Sequence, residues 1–139
     1  MKPIDYAKAV GVSLLLIVLF ILISIVIMVV YSFMIEPGHP NEFYNAAAQR
    51  IVPKWLHVIE PGFFFAAGYF CGKRRPKRNA YAFAAAFCAA YVVLDAAMVV
   101  PSGGVADFFR AGTILCLVVG FASAFAGAFL ATVRRIKTE

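Results

Sequence analysis

Residues 9–35 read AVGVSLLLIVLFILISIVIMVVYSFMI, 27 positions without one charged side chain. As a helix rising 1.5 Å per residue the stretch is about 40 Å long, more than the roughly 30 Å hydrocarbon core of a bilayer. It is expected to cross a membrane, with tilt or with one end protruding. Lys2 and Lys8 precede it as the basic region of a signal peptide would. The apolar run is about twice the length of a signal h-region and no small-residue cleavage site closes it, so an uncleaved first span is expected.

The rest of the chain points the same way. Of its 139 residues 63% are apolar and 14% charged, and the mean hydropathy is +0.87. A water-soluble domain of this size needs more charge to cover its exterior, and a disordered or nucleic-acid-binding tail needs low hydrophobicity or dense charge runs. Nucleic acid is thereby excluded as a partner and the lipid bilayer becomes the expected one. Further apolar blocks fall at 55–72, 80–100 and 111–133. The block at 55–72 is short and interrupted by Glu60, Pro61 and Gly62, so its helix is expected to start before Trp55 and enter the membrane there. The expected fold is all-α and polytopic: one membrane domain over 1–139 with four transmembrane helices, an outer loop at 36–54 and a basic inner loop at 73–79.

Lysine and arginine set the orientation. Lys2, Lys8, Lys73, Arg74, Arg75, Lys77, Arg78, Arg134, Arg135 and Lys137 fall on one side; Arg50, Lys54 and Arg110 fall on the other. The positive-inside rule puts both termini in the cytoplasm. Ten basic against two acidic residues leave the inner side at +8, and three against five leave the outer side at −2. The net charge of +6 is therefore an orientation signal and requires no acidic partner. No transit signal is recognised, and a bacterial inner (plasma) membrane is the expected location.

Helices in lipid gain little hydrophobic energy by meeting, so close packing depends on small residues and on polar groups that need partners. The first helix offers only Gly11, Ser13 and Ser24 and is expected to be peripheral and largely lipid-facing. The fourth carries a stripe of small residues including Gly120, Ala124 and Gly127, and the second carries Gly68 and Gly72 in a GxxxG pattern. Helices two, three and four are expected to form the tight core. Cys71, Cys88 and Cys116 lie on three helices at different depths and match no disulfide or zinc pattern.

Glu60 and Asp95 stand out, because a charge at a helix centre costs about 2.5 to 3.5 kcal/mol on insertion scales. The antiparallel topology puts both at a similar depth on adjacent helices, with His57 one turn above Glu60 and Tyr91 one turn below Asp95. This is the expected ligand- or cation-binding set: Glu60, Asp95, His57 and Tyr91. The two histidines share an HxxE pattern, His39 with Glu42 and His57 with Glu60. Glu/His pairs at this spacing build carboxylate-bridged metal sites, so these four form a candidate metal set, although Pro40 disrupts a regular helix through the first pair. No cofactor other than a metal ion is suggested. The structural alternative pairs Asp95 with Arg110 and makes Asp107 the N-cap of the fourth helix.

Ile-Glu-Pro-Gly occurs twice, at 35–38 and 59–62; the first copy closes a helix and the second falls inside one. Between them, residues 42–54 are expected either as a short amphipathic helix lying flat on the outer surface and ending at Pro53, or as an unstructured loop. The run 73–78 has a sufficient role in topology, with attraction of anionic headgroups as a second one.

Three functions follow from these features. The first is a non-enzymatic multi-pass protein that binds or conducts a small cation or polar ligand at an outward-facing acidic and histidine site. The alternative is an accessory or scaffold subunit whose small-residue faces dock a larger membrane complex; self-association into a dimer or higher homo-oligomer is expected otherwise. The third is a metal-dependent membrane enzyme. The chain carries no P-loop, nucleophile with its base, haem-attachment or dinucleotide pattern, which leans against an enzyme.

Overall fold

The computed structural model of the chain describes residues 2–75, 77–99, 109 and 111–136. Among the described residues there is no strand, and four α-helices follow in sequence: α1 (Pro3–Val30), α2 (Asn41–Lys73), α3 (Lys77–Val99) and α4 (Ala111–Ile136). Pro3 sits in the first turn of α1, where its missing N–H costs nothing, and the Asp5 carboxylate accepts the free N–H of Lys2 at 2.9 Å. At its other end α1 widens into a π-helical turn, Tyr31–Ile35, closed by Glu36 N–H donating to the Tyr31 carbonyl at 3.0 Å. Among the described residues three helical stretches are long and apolar enough to cross a membrane: Pro3–Ile35, Asn79–Val99 and Ala111–Arg134.

The two Ile-Glu-Pro-Gly copies adopt different structures. In the first, Gly38 takes φ +88°, a left-handed conformation that glycine adopts without strain, and Pro40 precedes α2 in extended geometry. The second stays helical. Pro53 and Pro61 both lie inside α2, which runs unbroken for 33 residues or about 50 Å. This corrects the expected outer loop at 36–54: the connection shrinks to 36–40, and residues 42–54 neither end at Pro53 nor form a separate helix. Proline removes one hydrogen bond from the helix ladder, and neighbouring helices in a bundle can hold such a helix together.

Two helix pairs meet most closely, α2 with α4 and α1 with α3. The first is a seam of missing side chains. A Cβ on Gly68 would collide with the Ala124 carbonyl oxygen, and one on Gly127 would collide with the Phe65 carbonyl oxygen. Gly72 faces the Cα of Ala128 at 3.3 Å from its would-be Cβ. Gly120 leaves room for the Phe64 ring, 3.4 Å from where its Cβ would stand. These packing residues are thus spent within the chain.

α1 exposes apolar side chains along its length, from Ile4 to Val30, yet it is no bystander. Ala9, Ser13, Leu16, Ile17 and Phe20 are buried, and the fully buried Ser13 hydroxyl donates within reach of two carbonyls, Ala9 at 3.0 Å and Phe87 of α3 at 2.7 Å. The expectation of a core made of helices two to four alone is corrected accordingly: the small Ala9 and Ser13 bring α1 onto α3. Cys71, Cys88 and Cys116 are free thiols.

Gly68→Ala and Gly127→Ala should each destabilise the folded chain by about 1–3 kcal/mol, because main chain must move to admit the methyl group. Gly62→Ala, with nothing within 4 Å, should be neutral or stabilising by up to about 1 kcal/mol. Denaturant unfolding in detergent micelles, followed by circular dichroism, checks the contrast.

Candidate functional site

Phe64 of α2 is completely buried and touches an aromatic ring on each of the other three helices. Its centroid lies 6.4 Å from Phe20 of α1, 5.0 Å from Tyr91 and 5.9 Å from Phe87 of α3, and 6.1 Å from Phe121 of α4. The Tyr91 contact is edge-on, an arrangement the ring quadrupoles favour. The layer forms because the seam brings α2 and α4 close and because Phe64, Phe87 and Tyr91 lie at matching heights on their helices.

One helical turn from Phe64, away from the basic end of the bundle, lies Glu60. One turn beyond Tyr91 in the same direction lies Asp95. Both carboxylates line a single cavity of about 340 Å³ together with Tyr91 and Phe20. The other described residues that line it are Ser24 and the apolar Ile17 and Ile21 of α1, Leu56 of α2, and Met98 and Val99 of α3. The Tyr91 hydroxyl donates to Glu60 Oε1 at 3.2 Å, and the tyrosine is 7% exposed, so the aromatic layer fixes the donor. Pro61, having no N–H, releases the His57 carbonyl from the helix ladder one turn above Glu60.

Three of the four residues of the expected set therefore meet, and His57 does not join them. It is exposed, and its Nε2 lies 3.8 Å from where a Cβ on Gly112 of α4 would stand. Residues three apart on a helix differ by about 60° around the axis, enough to turn His57 away from a narrow cleft. The four candidate metal ligands are not brought together. Glu42 and Glu60 are 18 positions apart on one continuous helix, about 27 Å, while the His39 ring stacks on Phe43 at 4.2 Å. Among the described residues no three His, Cys, Asp or Glu side chains are grouped to hold an ion. Arg110 and Asp107 lie outside the described residues.

Two features have only faint signals in the sequence. A second, mostly apolar cleft of about 660 Å³ runs between the far parts of α1 and α2, past Met28, Tyr44 and Val52, and shares Ile21 and Ser24 with the acidic cavity. Tyr44 also ties the turn beside it, donating to the Glu36 carbonyl at 2.7 Å, while Tyr31 donates to the Glu36 carboxylate at 2.8 Å. At the opposite end Arg75 binds three elements: its guanidinium donates to the Cys71 carbonyl at 2.8 Å, pairs with Asp5 at 3.6 Å and lies 3.7 Å over the Phe83 ring. A count of basic residues gives Arg75 only a topological role, because its three partners come from three helices.

Set against known protein families, curated proteins and solved structures, the chain matches none.

Tyr91→Phe keeps the ring contacts and removes one donor, so it should cost about 0.5–1.5 kcal/mol. Phe64→Ala empties the centre of the aromatic layer and should cost about 3–5 kcal/mol. Unfolding titrations of the two variants give the order; a larger loss in Tyr91→Phe would place the main support in the hydrogen bond.

Proposed function

We propose that the protein is a four-span membrane protein with both termini in the cytoplasm, and that it binds a small cation in the cavity of Glu60, Tyr91 and Asp95. The observation that carries this reading is the convergence of two carboxylates from different helices on one small, largely apolar space. A carboxylate in such a place is stabilised by a proton or by a cation, so exchanging one for the other is the chemistry it can perform. Tyr91 holds one oxygen of Glu60 by its O–H and orients the carboxylate. The apolar walls suit a weakly hydrated cation, such as a small ammonium ion, better than one that keeps its water.

The aromatic layer of Phe20, Phe64 and Phe87 stands between the cavity and the basic end of the bundle. Binding is therefore the direct reading, and conduction requires those rings to separate. An accessory role through small-residue faces draws no support from Gly68, Gly72, Gly120, Ala124 and Gly127, since all five face other helices of the same chain. A metal-dependent enzyme draws none from the four together, since Glu42 of the His39 pair and Glu60 of the His57 pair are about 27 Å apart along α2.

Glu60→Gln and Asp95→Asn, made separately, should each weaken methylammonium binding to the full chain in nanodiscs by about tenfold or more. Equilibrium dialysis measures this, and unchanged binding in both variants discards the proposal. For the orientation, a chain with Cys71, Cys88 and Cys116 replaced by Ala should react with an impermeant thiol reagent on intact cells as Lys54→Cys but not as Arg74→Cys.

A further inference from the structure

A third cavity, of about 880 Å³, opens at the basic end between the start of α1 and the end of α2. It is lined by Asp5, Lys8, Phe70, Cys71, Lys73, Arg74 and Arg75. Of these described lining residues four are cationic and one is anionic. That one is committed, since the Asp5 carboxylate accepts the Lys2 N–H and pairs with Arg75. Among the described residues no ion pair engages Lys8, Lys73 or Arg74, and all three are exposed. Among the described residues the cavity therefore holds an excess of three positive charges, with Lys8 on one wall and Lys73 and Arg74 on the other.

The cavity is also built rather than accidental. Arg75 is pinned by Asp5, by the Cys71 carbonyl and by the Phe83 ring, which ties α1 to the end of α2, the two elements that line the cavity. Phe70 stands at the rim with 67% of its surface exposed. On the face of α1 that carries Lys8, seven and fourteen positions further on, stand the exposed apolar side chains of Leu15 and Leu22. A ligand here meets cations at one end and an apolar helix surface at the other.

We infer that this cavity is a binding site for the phosphate headgroup of an anionic phospholipid, whose acyl chains lie along α1 and Phe70. Basic pockets between helices at the membrane surface recognise such headgroups by charge. A free phosphate shares the headgroup chemistry, but it would leave Phe70 and the flank of α1 uncovered. Charge selects the anionic lipid over a zwitterionic one, whose choline or ethanolamine repels Lys8, Lys73 and Arg74.

The test titrates the full chain in a neutral detergent with short-chain phosphatidylglycerol, phosphatidylcholine and inorganic phosphate, read by native mass spectrometry. One phosphatidylglycerol should bind per chain, about tenfold or more tighter than phosphatidylcholine. Lys73→Gln and Lys8→Gln should each weaken it about fivefold, and Lys73→Gln with Arg74→Gln about 25-fold. All three positions are exposed, so folding is expected to survive, and circular dichroism confirms it. Arg50→Gln with Lys54→Gln, which removes equal charge at the far end, should leave binding unchanged. The inference is overturned by equal affinity for phosphatidylcholine, by equal loss in the far-end variant, or by inorganic phosphate competing at the lipid's own concentration.

Discussion

Backbone contact between α2 and α4 is the constraint on which the other features rest. Within a bilayer there is no water to drive helices together, so close approach depends on what can fit between them. Gly68 and Gly127 each sit against the main chain of the opposing helix, in space that a single methyl group would occupy. This distance fixes how far Phe64 projects, and Gly120 gives it the room. The ring then meets partners from all the other helices. One seam of absent side chains thus sets the centre of the bundle.

The acidic cavity follows from that centre. Glu60 is one turn along α2 from Phe64, and Tyr91, which packs edge-on against Phe64, is one turn along α3 from Asp95. The layer therefore lends Phe20 and Tyr91 to the lining of the cavity and holds the phenol that donates to Glu60. α1 completes the wall with Ile17, Phe20 and Ile21, held to α3 by the hydrogen bond from Ser13 to the Phe87 carbonyl. At the basic end Arg75 does for α1, α2 and α3 what Phe64 does for the core, and it leaves neighbouring Lys73 and Arg74 available to a ligand.

Much of this was legible in the sequence. The uncharged run at 9–35 reads as a helix of membrane-spanning length from composition alone, and the small stripes of the second and fourth helices read as contact faces. Glu60, Tyr91 and Asp95 could be placed together because antiparallel helices of known length bring equal depths side by side. What misled the sequence reading was rotation and continuity. His57 shares a turn with Glu60 yet lies about 60° around the axis and faces α4. Pro53 reads as a helix end, whereas α2 continues through it, since one lost hydrogen bond does not end a helix that packing holds. The paired HxxE pattern suggested a shared ion, and the same continuous helix keeps its two halves about 27 Å apart.

The sequence by itself determined that the chain is helical and apolar enough for a membrane, which residues lie at one depth, and which helix faces are bare enough to touch. These properties are sums or spacings along a single segment. Only the tertiary structure decided that α1 joins the core, that Phe64 is the common contact, that His57 is excluded from the cavity, and that Arg75 ties three helices. Each of those depends on the rotation of one helix against another, and each residue turns the face by about 100°. Small shifts in packing, which no local pattern records, therefore choose the residues that meet.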